Sequence, residues 1–239
     1  MTRVVIMLEV AALDAWYGQA QILYGVSLGV GAGECVALVG RNGAGKSTTM
    51  KAIMGLMAKK RGRIAFRGRD ISALPAYRIG RLGLGWVPED RRIFTDLTVR
   101  ENLSVARQPA REGAPEWTPE RLYALFPNLG QMPDRPGGRM SGGEQQMLTV
   151  ARTLMGNPYL VLLDEPSEGV APIIVEEMAR MIVALKAAGV AVLLSEQNLH
   201  FARLVSDRAV VLEKGEVKFE GTMEALMSDD ALLRTHLSV

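Results

Sequence analysis

One stretch constrains this chain more than any other. The apolar run Val36-Ala37-Leu38-Val39 enters a glycine-rich turn, Gly40-Arg41-Asn42-Gly43-Ala44-Gly45. It leaves through Lys46-Ser47-Thr48 into a helix-like segment, Thr49 to Met57. This is the G-x-x-x-x-G-K-[ST] pattern of a phosphate-binding loop. Its glycines let the backbone curl around a phosphate chain with N–H groups pointing inward. The positive end of the following helix adds its dipole, Lys46 brings a point charge to the terminal phosphates, and Ser47 offers a hydroxyl to Mg²⁺. A nucleoside triphosphate is the expected ligand, contacted by Gly40, Arg41, Asn42, Gly43, Ala44, Gly45, Lys46, Ser47 and Thr48.

The remaining composition narrows the class. A chain of 239 residues, 48% of them hydrophobic, fits one large domain or one domain with a small helical insertion. A net charge of +2, with scattered basic residues and few aromatics, argues against a nucleic-acid binder. Cys35 is the single cysteine, which leaves neither an internal disulfide nor a cysteine metal site. It is expected to pack as a small hydrophobe in a reducing compartment. No apolar run approaches the ~18 residues of a membrane span. Val4 to Leu8, cut by Glu9, is shorter than the ~7–15 residues of a signal-peptide core. Met7 competes with Met1 as the start, and the chain reads as cytoplasmic.

Along the chain, Leu8 to Ala15 and Ile22 to Val30 read as strands before the phosphate loop. Arg63 to Arg67 reads as another strand with Gly68-Arg69-Asp70 as its turn, followed by a short helix from Pro75 and the short strand Leu84 to Val87. Helices without strands follow, at Thr98 to Arg107 and Thr118 to Phe126, separated by a Pro/Gly-rich run. From Ser141 helices and strands alternate again. The pattern predicts a mostly parallel sheet with helices on both sides. The expected division is an α/β core, 1–91 and 141–239, with a helical subdomain at 92–140, all within one domain over 1–239.

Two further motifs carry chemistry. The apolar strand Leu160 to Leu163 ends in Asp164-Glu165-Pro166, an acidic pair at the C-terminal end of a buried strand. Asp164 suits a metal ligand, directly or through water, and Glu165 suits a general base for an attacking water. Upstream, Ser141-Gly142-Gly143-Glu144-Gln145 opens a helix. Ser141 with Glu144 three residues on matches a capping box, and the same helix end is suited to an anion. Both readings stand together.

Here the chain resembles the ATP-binding cassette (ABC) ATPases over nearly its full length. The resemblance implies an α/β P-loop NTPase core with N-terminal antiparallel strands and an inserted helical subdomain. It implies that Ser141, Gly142, Gly143 and Gln145 reach across a head-to-tail dimer to ATP held by the partner's phosphate loop. Tyr17 falls where the family stacks an aromatic ring on adenine, with Trp16 as a competitor. Glu165, Lys46 and Gln197 would be the catalytic set; Ser47, Glu89 and Asp164 would serve Mg²⁺.

Departures from the family pattern sharpen the resemblance. Glu89 follows Val87-Pro88 where a Gln is usual, and Gln197 stands where the late loop usually has His. His200, three residues on, is expected to be a helix-surface residue. Met140 replaces Leu before the serine, and Ser167-Glu168-Gly169-Val170-Ala171-Pro172 replaces the usual Ser-x-Leu-Asp loop. Together they are similar to the second ATPase subunit of branched-chain amino-acid importers and its urea- and amide-importer relatives. The chain also ends where those subunits end. The implied partners are a second ATPase, unlike or identical, two membrane permeases, and an extracytoplasmic binding protein acting indirectly. The implied location is the cytoplasmic face of the membrane, held through the permeases. Glu89 and the segment Arg91 to Leu97 would lie near the groove that receives them. A soluble, non-transport ABC ATPase and a small-molecule kinase are the competing classes.

Overall fold

The computed structural model describes residues 5–237. Two long antiparallel strands, β1 (Ile6–Tyr17) and β2 (Ala20–Gly31), precede β3 (Cys35–Val39), which delivers the phosphate loop to α1 (Lys46–Ile53). Then come β4 (Lys59–Phe66), β5 (Arg69–Asp70), α2 (Ala76–Arg81) and β6 (Leu84–Val87). The insertion holds α3 (Val99–Val105), α4 (Pro119–Leu125) and α5 (Pro127–Gly130). The chain returns through α6 (Gly142–Leu154), β7 (Leu160–Asp164), α7 (Pro172–Ala187), β8 (Ala191–Glu196) and α8 (Leu199–Val205). It finishes with β9 (Arg208–Glu213), β10 (Glu216–Thr222), α9 (Met223–Met227) and α10 (Asp230–Leu232). The Met1 start lies outside the described residues. Among the described residues, no helix is long and apolar enough to cross a membrane.

The six-stranded sheet runs β10-β9-β3-β8-β7-β6, parallel throughout except for β10 at one edge. Every residue of β3, β7 and β8 is buried, as expected of parallel strands covered on both faces. Alternate residues then serve different cores. Val36, Leu38, Leu160, Leu162 and Leu193 face one layer, while Val161, Leu163, Val192 and Leu194 face the other. The second layer is helical, built from α6, α7 and α8 and continuing through α6 into α3, α4 and α5.

The first layer packs the expected helix together with the N-terminal antiparallel strands that the resemblance implies. It holds α1 and a second, antiparallel sheet ordered β2-β1-β4-β5. Inside β1 the phase changes. Leu8 and Val10 are buried, then Leu13 and Ala15, so the alternation slips by one residue. The slip is a bulge between Ala11 and Asp14 in the pairing with β4. Ala12 sits at φ 48° and its N–H donates to the Ser27 hydroxyl at 2.9 Å. Opposite, Gly62 has φ 104°, and a Cβ there would meet the Ala11 carbonyl oxygen at 2.8 Å. Both halves of a 12-residue strand thereby bury their apolar face. Arg69 and Asp70, expected in a turn, pair with β4 as a short edge strand.

The insertion is pinned by a buried amide. Asn102 accepts from the Phe94 N–H at 3.0 Å and donates to the carbonyls of Phe94, Leu97 and Thr98 at 3.0–3.1 Å. Replacing it with Ala strands those backbone groups. Asn102→Ala is expected to cost about 2–4 kcal/mol in urea denaturation. A loss below about 1 kcal/mol would show that water serves these groups equally well.

Candidate nucleotide site

Three adjacent parallel strands, β3, β8 and β7, end on the same side of the sheet and bring the functional side chains together. The turn after β3 is shaped by close approach. A Cβ on Gly40 would collide with the Leu212 carbonyl oxygen, and Gly45 caps α1 at φ 109°, against Leu23. With no side-chain cap on α1, its first N–H groups are available to an anion.

Lys46 is buried, and its Nζ is shared by the carbonyls of Gly40 (2.9 Å) and Arg41 (3.2 Å) and by Glu165 Oε1 (3.0 Å). Gln197 Nε2 donates to the other oxygen of Glu165 at 2.8 Å. Glu165 itself sits at φ 47°, its N–H bonded to the Ser195 carbonyl at 3.0 Å. A non-glycine residue in this region costs about 1–2 kcal/mol, a local strain that aims the carboxylate into the cleft. Burial alone would raise the Glu165 carboxyl, but hydrogen bonds with Glu168, Gln197 and Lys46 hold it below its ordinary range.

Beside this trio, the Ser47 hydroxyl donates to Asp164 Oδ1 at 3.0 Å. Burial pushes the Asp164 carboxyl up, against that bond. A cleft of about 400 Å³ is lined by Tyr17, Asn42, Gly43, Gly45, Lys46, Ser47, Thr48, Glu89 and Glu165. Gly40, Arg41, Ala44 and Gln197 border a second cavity on the other flank of the loop, with Glu213 and Lys214. Trp16 points away: Lys59 Nζ lies 4.8 Å from its ring centre. Tyr17 is therefore the aromatic that faces the loop.

The donor set suits Mg²⁺. Ser47, Asp164 and Glu89 offer only oxygen. Among the described residues no cluster of three or more His, Cys, Asp or Glu forms a cage.

Ser141, Gly142, Gly143 and Gln145 stand apart. Among the described residues lining the cleft, none of these four appears. Ser141 and Glu144 form the capping box on α6, with Ser141 N–H donating to Glu144 Oε2 at 2.7 Å. Gln145 Nε2 donates to the Gly137 carbonyl at 3.1 Å. A Cβ on Gly143 would meet Ile174 Cγ1 at 2.7 Å, so α6 begins hard against α7.

Residues 23–168 match the ABC transporter family. The chain belongs to the ABC transporter ATP-binding family. It is 40% identical to the high-affinity branched-chain amino acid transport ATP-binding protein BraG of Pseudomonas aeruginosa, over 97% of this chain and 99% of that protein. It is 35% identical to the lipopolysaccharide export system ATP-binding protein LptB of Haemophilus influenzae, over 92% of each. Among solved structures, an ATP-binding subunit of an ABC transporter superposes with a TM-score of 0.81 at 31% identity, covering 97% of this chain and 96% of that one. A nucleotide-free ABC cassette superposes equally well at 25% identity, covering 98% and 99%.

Within this ABC cassette, several polar groups escaped the sequence reading. Glu168 joins the cleft lining. Its carboxyl is raised to about 7 by its hydrogen bond to Glu165, by burial and by the fields of Glu165, Glu89 and Glu196. Glu196 is buried and accepts from the N–H groups of Ser167 (3.1 Å) and Asn198 (3.3 Å), tying the late loop to the one after Glu165. Both lie in runs that mark the resemblance, yet no role was assigned to either, because each acts only once β7 and β8 are neighbours. His200 is exposed on α8, as expected.

Glu168 makes stability depend on pH. Its proton is held more tightly in the folded chain than at its ordinary value of 4.5. That contribution is complete below about 4.5 and is lost as pH rises through about 7. Glu168→Gln is therefore expected to gain on the parent in urea denaturation between pH 5 and pH 8. A stability gap that stays constant over that range would contradict the shared proton.

Proposed function

We propose that this chain is the ATP-hydrolysing subunit of a membrane importer for branched-chain amino acids. The observation that carries the reading is the division of the site. Lys46, Ser47, Asp164 and Glu165 gather on the phosphate loop, while Ser141-Gly142-Gly143 opens α6 outside that cleft. Half a site on each of two surfaces fits two ATPase subunits arranged head to tail with ATP at their interface. The solute rests on the 40% identity to BraG over almost all of both chains.

Each residue then has a role. Tyr17 stacks on the adenine, and the N–H groups from Gly40 to Thr48 hold the phosphates. Lys46 leaves Glu165 for the terminal phosphates. Glu165, freed of Lys46 and still held by Gln197, takes the proton of the attacking water. That water's oxygen bonds to the γ-phosphorus as the bridging oxygen leaves with ADP. Ser47, Asp164 and Glu89 would hold Mg²⁺, which would supply neutralisation of the developing phosphate charge. Ser141, Gly142 and Gly143 serve the partner's ATP. Closing of the pair passes to two permeases through the groove beside the insertion, and a binding protein supplies solute from outside. On this reading the chain works at the cytoplasmic face of the membrane.

Glu165→Gln is expected to bind ATP as before, to hydrolyse it at least ~100-fold more slowly, and to accumulate as an ATP-bound dimer with its partner. Normal hydrolysis by that variant would remove Glu165 as the base. Tyr17→Ala should weaken ATP binding about tenfold by calorimetry, while Trp16→Ala leaves it unchanged. The reverse result would exchange their roles. Cells lacking this chain are expected to lose uptake of leucine, isoleucine and valine. Unchanged uptake of all three would overturn the solute assignment.

A further inference from the structure

The loop that joins β6 to the insertion carries a guanidinium that none of these roles uses. Arg91 and Arg92 both sit at positive φ, 58° and 24°. The Arg91 carbonyl accepts from the Thr149 hydroxyl of α6, and the Arg92 carbonyl accepts from Arg152. Two successive carbonyls are thus moored on α6, and the half-buried Arg91 side chain turns toward that helix's first residue. A Cβ built on Gly142 would collide with Arg91 Nη1 and lie 3.3 Å from Cζ. On its other side, Nη2 is 3.9 Å from a Cβ built on Gly169, in the loop after Glu165. Among the described residues, no carboxylate pairs with Arg91, whereas its neighbour Arg92 is paired with Asp90 at 2.8 Å.

We infer that Arg91 is a catalytic residue acting in trans: its guanidinium contacts the γ-phosphate that Ser141, Gly142 and Gly143 receive from the partner subunit. The inference rests on the two-subunit site proposed above. The Arg91 side-chain nitrogens make no hydrogen bond or ion pair within the described residues and are not sealed from solvent, so the charge is open to an anionic ligand. The guanidinium is set against the first residue of a 13-residue helix whose end already favours an anion. Gly142 is what permits the approach, since any side chain there would displace the guanidinium. A planar cation with five donors matches phosphate oxygens better than an ammonium does. At a transferring phosphoryl group, such a charge lowers the barrier directly.

The same loop gives the placement a further consequence. Glu89, two residues before Arg91, lines this chain's own cleft. One short segment therefore reaches the nucleotide on its own subunit through Glu89 and the nucleotide on the partner through Arg91.

The test uses the complete transporter complex and the isolated full-length chain. Arg91→Met is expected to leave ATP binding to the isolated chain unchanged by calorimetry. It should lower ATP turnover by the complex about 100-fold. Arg91→Lys should retain part of the activity, and free guanidinium ion should restore part of it to Arg91→Ala. A peg that only supported the loop would not respond to added guanidinium. Turnover by Arg91→Met equal to the parent, or a loss that neither Lys nor guanidinium relieves, overturns the inference. Failure of the underlying two-subunit reading is separate: the Glu165→Gln form would then bind ATP without accumulating as an ATP-bound dimer with its partner.

Discussion

The buried pair between Lys46 and Glu165 holds this site together. Two opposite charges with almost no solvent contact stabilise each other only while the geometry is kept, and removing one partner typically costs about 3–5 kcal/mol. The fold meets that demand through strand order. The loop after β3 leads to Lys46, β7 ends at Asp164 with Glu165 next, and Gln197 follows β8 between them. Parallel alignment puts all three ends at one edge of the sheet, the usual place for a ligand in such folds. The pair also gives the site an order of events. On the proposed mechanism, a phosphate chain entering the loop competes with Glu165 for Lys46, so occupancy and release of the base are one exchange.

The helical insertion answers a different need. Its apolar residues join the same cluster as α6 and α7, so α6 belongs to both regions. The N-terminus of α6 is fixed by its own capping box, by Ile174 packed on Gly143 and by Arg91 packed on Gly142. The glycines that give this helix end its recognisable sequence are also where neighbours press closest.

Much of this was legible in the sequence because it is local. The phosphate loop, the Asp164-Glu165 pair and the Ser141 cap each rest on residues a few positions apart, with chemistry fixed by their spacing. The parallel sheet followed from the alternation of apolar runs and helical segments. What stayed hidden depends on distant pairing. Glu168 and Glu196 gain their environments only when β7 and β8 lie side by side. The free guanidinium of Arg91 depends on carbonyls anchored to a helix some sixty residues later. The bulge inside the expected antiparallel strands stayed hidden for a subtler reason: β1 reads as two half-strands of opposite phase, and no periodicity reveals that one extra residue reconciles them.

That extra residue reaches further than the layer it stabilises. If the alternation set by Leu8 and Val10 ran on unbroken, its inward positions would include residue 16 and exclude residue 17. The bulge at Ala12 reverses this, so Tyr17 faces the phosphate loop and Trp16 lies beside Lys59 and Arg61. The choice of aromatic is thus made by counting, five residues upstream of the ring it selects. Length in this strand decides which ring meets the cleft: losing one residue before Tyr17 would rotate that ring away from it while leaving every motif intact.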